Sequence, residues 1–227
     1  MPVYLGLLVL GYLVGSVPTG LLIVKAARGV DIRKYGSGTI GTVNVLRLAG
    51  TAPALVVMLV DVLKGFLPTA LAAAVDQPAW VPVLAGIASI AGHNWSVFLG
   101  FKGGKGVATT LGVLLGLSPS VGLLAAALWV LLVALTRYSS VGSMGAGVSV
   151  PVLMAALGQP PEYIAFGALA AAFGLEKIPP AEHPFLLSLM HRSLGLALGA
   201  LSHGIDTTGE ASEAPWEEGL SSDSETE

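Results

Sequence analysis

Long apolar stretches alternate with short polar stretches along the first three quarters of the chain. A membrane-spanning helix needs about 20 mostly apolar residues, and several stretches reach or approach that length. The predicted spans cover residues 3–24, 52–75, 80–99, 106–136, 141–158 and 162–175.

The stretch 106–136 is too long for one membrane helix. At about 1.5 Å per residue it would extend ~46 Å, whereas the hydrocarbon core is ~30 Å thick. The sequence Ser118-Pro119-Ser120 interrupts it and predicts a hairpin of two helices. Two helices also place all basic loops on one side, which the positive-inside rule makes cytoplasmic. The pattern therefore predicts an all-α, polytopic membrane helix bundle of about seven transmembrane helices, with the N-terminus outside and the C-terminus cytoplasmic.

Composition supports the membrane class. Of 227 residues, 54% are hydrophobic and only 11% are charged, whereas soluble domains carry about 25% charged residues. The net charge of −3 is too balanced and too dilute to indicate nucleic-acid binding. The chain has no Cys, which excludes disulfides and thiolate chemistry, and residues 1–175 hold no metal-ligand motif.

Charge divides the chain into parts. Residues 1–175 carry nine bases and four acids, a net of +5, and residues 176–227 carry two bases and ten acids, a net of −8. An acidic segment rich in Ser, Thr and Gly cannot bury enough apolar surface to fold alone. The predicted organisation is a transmembrane domain over 1–175, a divergent C-terminal segment over 176–204 and an acidic disordered tail over 205–227.

The first basic loop combines glycines with hydroxyl side chains and an arginine. Residues 36–47 read G-S-G-T-I-G-T-V-N-V-L-R. Small residues let a phosphate approach backbone N–H groups, Ser37, Thr39 and Thr42 add hydroxyls, and Arg47 can clamp an anion. The G-x-G-x-x-G spacing does not indicate a dinucleotide site, because a membrane helix and not a strand precedes it. The alternative is a flexible connector in which Arg47 is only a charge at the membrane surface.

The second basic loop is also suited to oxyanions. Residues 92–109 read G-H-N-W-S-V-F-L-G-F-K-G-G-K-G-V-A-T. The glycines can expose N–H groups, Lys105 supplies a charge, and the next helix is predicted to begin at Gly106 or Val107 with its positive dipole end toward the loop. The spacing is not that of a P-loop. His93 is a candidate base, phosphate donor or helix-end residue.

Two further polar features have both structural and functional interpretations. Ser139 and Ser140 stand at a predicted helix start, where they could cap the helix or donate to a phosphate. Asp61 and Lys64 lie inside the second span, three residues apart on one helical face. Charges at the membrane centre cost about 2.5–3.5 kcal/mol each and mark functional candidates. A structural pair that points into a polar cavity is favoured over direct catalysis.

These motifs together resemble the bacterial acyl-phosphate:glycerol-3-phosphate acyltransferases, integral membrane enzymes that make lysophosphatidic acid. The similar stretches, in order and spacing, are residues 15–20, 36–47, 61–65, 92–109 and 138–140. The resemblance implies a seven-helix membrane bundle, which agrees with the count from hydropathy and charge.

The resemblance also implies the reaction. A fatty acyl group would pass from acyl phosphate to the 1-hydroxyl of glycerol 3-phosphate, in phospholipid synthesis at the bacterial inner membrane. Partners would be acyl phosphate, glycerol 3-phosphate, membrane lipid and a soluble enzyme that makes acyl phosphate, with neither cofactor nor metal. The proton would go to the donor phosphate, with His93 as the alternative acceptor. The resemblance implies Lys105, Arg47 and Ser37 as catalytic residues and Ser139 and Ser140 as residues near the phosphates. The chemistry of the two glycine-rich loops adds further predicted substrate-binding residues, namely Gly36, Gly38, Thr42, Asn44, His93, Gly103 and Gly104.

The sequence departs from the family at two places. The first motif usually reads G-S-G-N-x-G-A-T-N, and here Thr39 replaces the first Asn while Asn44 is retained. A C-terminal motif of the family carries an Asn where this chain has Leu194. An impaired homologue that only binds substrate or a partner is therefore the alternative hypothesis. A small-anion transporter is a third, but such folds usually contain internal repeats, and no convincing repeat is seen.

Overall fold

Helices make up every regular element of the part of the chain that the computed structural model describes, residues 2–75 and 77–176. They are α1 (Pro2–Ser16), α2 (Thr19–Arg28), α3 (Thr42–Ala49), α4 (Thr51–Ala74), α5 (Trp80–Asn94), α6 (Val107–Leu117), α7 (Pro119–Thr136), α8 (Ser139–Ala156) and α9 (Pro161–Glu176). Single 3-10 turns, Ile32–Lys34 and Val97–Leu99, lie in the two basic loops. A helix satisfies its own backbone hydrogen bonds, as a lipid environment requires. The all-α prediction is confirmed.

The predicted spans all coincide with helical segments. Five segments are long and apolar enough to cross a membrane, namely Val3–Arg28, Thr51–Ala74, Trp80–Leu99, Pro119–Thr136 and Ser139–Ala156. α6, with 11 residues, and α9, with 16, are shorter. The predicted turn at Asp76 lies outside the described residues, as do the His191-Arg192 motif and, apart from Glu176, the two predicted C-terminal segments.

The hairpin predicted for 106–136 is confirmed. α6 ends at Leu117, and Ser118 leaves the helical conformation with φ −151°. Pro119 then occupies the first turn of α7, where its missing N–H is not needed and its fixed φ suits a helix start. The proline therefore both ends one helix and begins the next.

The first predicted span is confirmed as part of a membrane-capable segment, Val3–Arg28, but its continuity and its end differ from the prediction. Residues 3–24 were expected to form one continuous helix, but the chain breaks at Val17–Pro18 and α2 continues to Arg28. The proline ring removes one N–H donor and clashes with the preceding turn, which interrupts the helix. Gly29, with φ 73°, closes α2 in the left-handed conformation that glycine adopts without strain.

Buried polar groups from α4 and from the loop after α5 close this break. Lys64 Nζ donates to the Val17 carbonyl at 3.1 Å, and Ser96 Oγ donates to the Ser16 carbonyl at 2.5 Å. Lys64 also pairs with Asp61 at 2.7 Å, and each of these two side chains is only 3% exposed. The predicted pairing of Asp61 with Lys64 is confirmed. The hydrogen bond from Lys64 to the Val17 carbonyl, next to Pro18, explains why a charged residue is present inside the bundle.

Glycines allow the helices to approach closely. A Cβ atom at Gly65 would collide with the Thr109 carbonyl, and one at Gly112 with the Val62 carbonyl, so α4 and α6 pack backbone to backbone. Small residues at crossings are typical of membrane helices, where van der Waals packing drives association. The apolar core between α5, α6, α7, α8 and α9 contains Val83, Val113, Leu117, Val121, Met154 and Phe166.

Removing one member of the buried pair should destabilise the bundle more than removing both. Lys64→Met leaves a buried Asp61 carboxylate and an unpaired Val17 carbonyl, so we expect a loss of about 3–5 kcal/mol. Asp61→Leu/Lys64→Met removes both charges, so its loss should be smaller than that of Lys64→Met. Thermal unfolding in detergent micelles measures both. Lys25→Met, at an exposed position of α2, is the control, and a double variant less stable than Lys64→Met would contradict the prediction.

Candidate active site

Asn44 organises the first glycine-rich loop. This side chain is buried in the first turn of α3 and donates through Nδ2 to the carbonyls of Tyr35, at 3.1 Å, and Thr39, at 2.8 Å. Its Oδ1 accepts the Ser37 N–H at 3.3 Å. The side chain therefore fixes the loop from within, and its predicted contact with substrate stays a prediction.

The loop is shorter and more ordered than the sequence suggested. Residues 42–47 were expected in a loop but belong to helix α3, for which Gly41 is the N-cap, and Arg47 is exposed in its last turn. Gly36 and Gly38 adopt φ of 58° and 68°, conformations that other residues rarely adopt. A Cβ at Gly36 would also collide with Asn44 Oδ1. The alternative of a flexible connector does not fit this geometry.

Hydroxyl groups are concentrated on the outer side of this loop. Ser37 is exposed, and its Oγ lies 2.9 Å from Thr39 Oγ1 in a hydrogen bond that either group can donate. Thr42 is half-buried as the first residue of α3. Thr39, which replaces an Asn of the family motif, therefore stays in contact with the serine that the resemblance marks as catalytic.

The glycines of the second loop pack against the end of α5. The Gly104 N–H donates to the His93 carbonyl at 3.0 Å. A Cβ at Gly103 would collide with the same carbonyl, and one at Gly104 with His93 Nε2. Because the Gly104 N–H is already engaged, it is not a donor for an anion in this structure. The glycines bring the loop onto α5, and their predicted contact with substrate stays a prediction.

His93 lies beneath this loop. It is buried in the last turn of α5, with Gly104 packed on its ring, and its Nδ1 is 3.9 Å from Asp61 Oδ1. Of the three interpretations, the helix-end role matches this position. The buried ring stands between the loop and the Asp61–Lys64 pair, so it connects the two.

Lys105 stands just before a helix start, as expected. Gly106 is the N-cap of α6 with φ 81°, and Val107 is its first residue. The first N–H groups of a helix lack partners within it and carry partial positive charge. The exposed Lys105 side chain therefore adds a full charge beside an end that already favours anions.

The serines of the third loop do not cap their helix. Tyr138 occupies the N-cap position of α8 without a capping side-chain hydrogen bond, and Ser139 and Ser140 are the first two helical residues, both half-buried. The Ser139 carbonyl accepts from Ser143 Oγ at 2.9 Å, and Ser143 Oγ in turn accepts from Trp129 Nε1 at 3.1 Å. The N-cap interpretation is thus wrong, and the phosphate-donor interpretation stays a prediction.

The first two loops meet at a cleft of about 390 Å³. It is lined by Asp31, Arg33, Lys34, Gly38, Ile40, Leu99, Lys102 and Gly103. Gly38 and Gly103 are the predicted site residues among them, and Ser37 and Lys105 are their near neighbours in the chain. The structure therefore brings the two loops together, whereas Ser139 and Ser140 are not among the lining residues.

The charged lining of this cleft was missed from the sequence. Arg33 binds the Asp31 carboxylate through Nε at 3.0 Å and Nη2 at 2.6 Å. These contacts lower the pKa of Asp31 from 3.8 to about 2. Because the pKa is lowered in the folded state, the pair is complete above pH 3.8 and is lost only as the pH falls through about 2. The sequence signal for this lining was the pair Arg33 and Lys34 just before the first glycine-rich loop. Such bases are equally typical of cytoplasmic loops that follow the positive-inside rule.

Comparisons with known proteins agree with this arrangement. The family model for glycerol-3-phosphate acyltransferase matches residues 5–179. A glycerol-3-phosphate acyltransferase of Synechococcus sp. (strain CC9902) is 48% identical over 165 residues, which are 73% of this chain and 82% of that one. Glycerol-3-phosphate acyltransferase 2 of Moorella thermoacetica is 42% identical over 185 residues, 82% of this chain and 95% of that one.

A solved structure extends the similarity to three dimensions. The crystal structure of PlsY (YgiH), an integral membrane glycerol 3-phosphate acyltransferase, in its glycerol 3-phosphate form superposes with a TM-score of 0.73 at 36% identity. The match covers 83% of this chain and 92% of that one. The range matched by the family model contains both glycine-rich loops and the buried Asp61–Lys64 pair, and the chain belongs to the glycerol-3-phosphate acyltransferase family.

Proposed function

We propose that this glycerol-3-phosphate acyltransferase takes its acyl group from acyl phosphate and places it on the 1-hydroxyl of glycerol 3-phosphate. The observation that carries the proposal is the meeting of two glycine-bearing loops at one cleft, which Gly38 and Gly103 line. The exposed Ser37 and Lys105 are neighbours of these glycines in the chain, and Arg47 is exposed on the helix that follows the first loop. Two phosphorylated substrates need such a concentration of donors and positive charge. The PlsY structures are of a glycerol 3-phosphate form and a lysophosphatidic acid form, the acceptor and the product of this reaction.

The chemistry requires little besides positioning and charge. An acyl phosphate is an activated carbonyl, so the 1-hydroxyl oxygen bonds to the carbonyl carbon while the bond from that carbon to the phosphate oxygen breaks. Inorganic phosphate leaves and takes the hydroxyl proton. Holding the two substrates side by side removes much of the barrier. Fixed donors that face the developing oxyanion and the departing phosphate supply most of the rest.

The exposed cations are proposed to stabilise the negative charge that develops during the reaction. Lys105, beside the N-terminus of α6, is proposed to stabilise the departing phosphate, and Arg47 to clamp a phosphate through two N–H groups. Ser37 is proposed to donate its hydroxyl to the substrate held by the first loop, with Ser139 and Ser140 as further donors. The burial of His93 under Gly104 favours the phosphate as proton acceptor.

The membrane arrangement is proposed to place this site on the cytoplasmic side of the bacterial inner membrane. All seven predicted spans are helical, and seven crossings bring the loops of residues 29–41 and 95–106 and Arg137 to the same side. Their bases then follow the positive-inside rule. Acyl phosphate made by a soluble enzyme could reach the site there.

Lys105→Ala should reduce kcat/KM by about 10²–10³, the effect of removing one fixed donor to a developing oxyanion. The assay is formation of lysophosphatidic acid from acyl phosphate and glycerol 3-phosphate in membranes. Lys25→Ala removes an exposed cation of α2 and should keep full activity. If the folded Lys105→Ala protein retained wild-type activity, the role of Lys105 would be excluded. A folded wild type without turnover on several chain lengths would instead support the impaired-homologue hypothesis raised by Leu194.

Asn44→Ala should raise the KM for glycerol 3-phosphate about tenfold or more. The variant loses three hydrogen bonds that hold residues 35–39, each worth about 1 kcal/mol, and a tenfold change needs ~1.4 kcal/mol. Ser89→Ala is the matched control, because Ser89 is equally buried but donates to the Lys64 carbonyl, away from the loop. Ser89→Ala should lower thermal stability without changing KM. Equal effects of the two variants on KM would show that Asn44 has no special role.

Cysteine labelling can determine the topology directly, because the chain contains no Cys. In spheroplasts, a membrane-impermeant thiol reagent should label Gln159→Cys, between α8 and α9, without permeabilisation. Lys25→Cys, near the end of α2, should be labelled only after permeabilisation. Labelling of both positions from the same side would contradict seven crossings, and the reverse order would invert the proposed orientation.

A further inference from the structure

The proposed reaction gives no task to Asn94, although this polar side chain lies directly beneath the second loop. Asn94 is the last residue of α5 and is only 5% exposed. Among the described residues, neither its Oδ1 nor its Nδ2 has a hydrogen-bond partner. A buried amide without partners is costly, and an apolar side chain would avoid the cost. The presence of an amide here therefore indicates a purpose other than stability.

The Asn94 amide lies against the start of α6. A Cβ atom built on Gly106 would be 2.7 Å from Asn94 Oδ1 and 3.4 Å from Asn94 Nδ2. Gly106 is the N-cap of α6, and its carbonyl accepts the Thr110 N–H at 2.8 Å. A glycine N-cap offers no side-chain oxygen to the first N–H groups of a helix, whereas asparagine is among the residues that cap best. Asn94 therefore brings to this helix start, from α5, the amide oxygen that the glycine lacks.

Lys105 stands between two contacts with consecutive residues of α5. Gly104, which precedes it, rests on the His93 ring, and its N–H donates to the His93 carbonyl. Gly106, which follows it, rests on the Asn94 amide. Both glycines are buried, whereas Lys105 is exposed. Because both neighbours are packed on α5, the end of this helix determines where the lysine backbone lies.

We propose that Asn94 is a positioning residue for Lys105, an inference that rests on the role proposed for this lysine in the reaction. The Asn94 oxygen stabilises the first turn of α6 and so holds Lys105 where its charge meets the departing phosphate. Asn94 lies under Gly106 and does not itself contact substrate. Since the charge on the departing phosphate develops only in the transition state, displacement of Lys105 lowers kcat and leaves KM unchanged. This separates Asn94 from Asn44, whose loss raises KM.

Two substitutions that keep the branched shape of the side chain test whether its oxygen is required. Asn94→Leu should lower kcat about tenfold and leave both KM values within about twofold of wild type, because a displacement of even 1 Å can cost about 10²-fold in rate. This variant should unfold at the same temperature as wild type or higher, since it removes buried polar atoms that lack partners. Asn94→Asp keeps the oxygen and should stay within about threefold of the wild-type kcat, because Asp and Asn are similarly good caps.

Ser89→Ala is the matched control. Ser89 is also buried in α5, but its hydroxyl donates to the Lys64 carbonyl, away from α6. The variant should lower thermal stability without changing kcat, whereas Asn94→Leu should lower kcat without lowering stability. A purely structural role of Asn94 would produce the pattern of the control.

A spin label tests whether Asn94 acts through residue 105. Because the chain contains no Cys, Lys105→Cys and Lys25→Cys each accept a single nitroxide label. Addition of Asn94→Leu should make the label at residue 105 more mobile in its electron paramagnetic resonance spectrum. The label at residue 25, which is exposed on α2, should be unchanged. If Asn94→Leu does not fold, Asn94→Ala replaces it, with the same expectations for kcat and for mobility.

Three results would overturn the positioning role: a wild-type kcat in Asn94→Leu, an equal loss of kcat in the Leu and Asp variants, or an unchanged label at residue 105. Loss of activity in Lys105→Ala together with wild-type kcat in Asn94→Leu rejects only the role of Asn94. Full activity of the folded Lys105→Ala protein instead rejects the role proposed for the lysine.

Discussion

A buried ion pair at a broken helix holds the site together. Lys64 neutralises Asp61 and donates to the Val17 carbonyl at the Pro18 break. The break directs α2, and Gly20 of α2 packs so closely on the Ile40 carbonyl that a Cβ there would collide with it. The position of the first loop therefore depends on how the break is closed. The second loop depends on the same place, because Gly104 rests on His93, whose ring lies beside Asp61.

This arrangement separates the cations of the chain by task. A charge inside a membrane bundle is costly unless it is paired. The Lys64 ammonium is stable there because it pairs with the Asp61 carboxylate and donates to a backbone carbonyl. A cation with both partners is not available to a phosphate. Lys105 and Arg47, by contrast, are exposed and do not have to neutralise a charge in the core. Position relative to the core, more than residue type, thus determines which bases can meet a substrate.

Hydropathy was sufficient to predict the long helices, because an apolar segment in lipid has to form its backbone hydrogen bonds within itself. The limit on the length of one membrane crossing also predicted the hairpin at Ser118. It could not locate the break at Pro18, because the group that makes the break tolerable, Lys64, lies 47 residues away in sequence. Helix α3 was missed because its eight residues are too few for a membrane span, although Val45, Leu48 and Ala49 form a short apolar face that packs into the core. The cleft is formed by two loops that are distant in sequence, so the sequence could not predict that Lys34 and Lys102 line the same cleft.

The glycines of the two motifs acquire a different meaning from this geometry. From sequence, glycine-rich loops indicate backbone N–H groups open to a phosphate. In the fold, Gly36 makes room for Asn44, and Gly103 and Gly104 make room for the end of α5 at His93. The spacing of these glycines is therefore set by the packing of each loop on its helix, a requirement that exists before any substrate arrives. Affinity for phosphate then has to come from the residues placed between and after the glycines, which is where the exposed hydroxyls and cations of both loops stand.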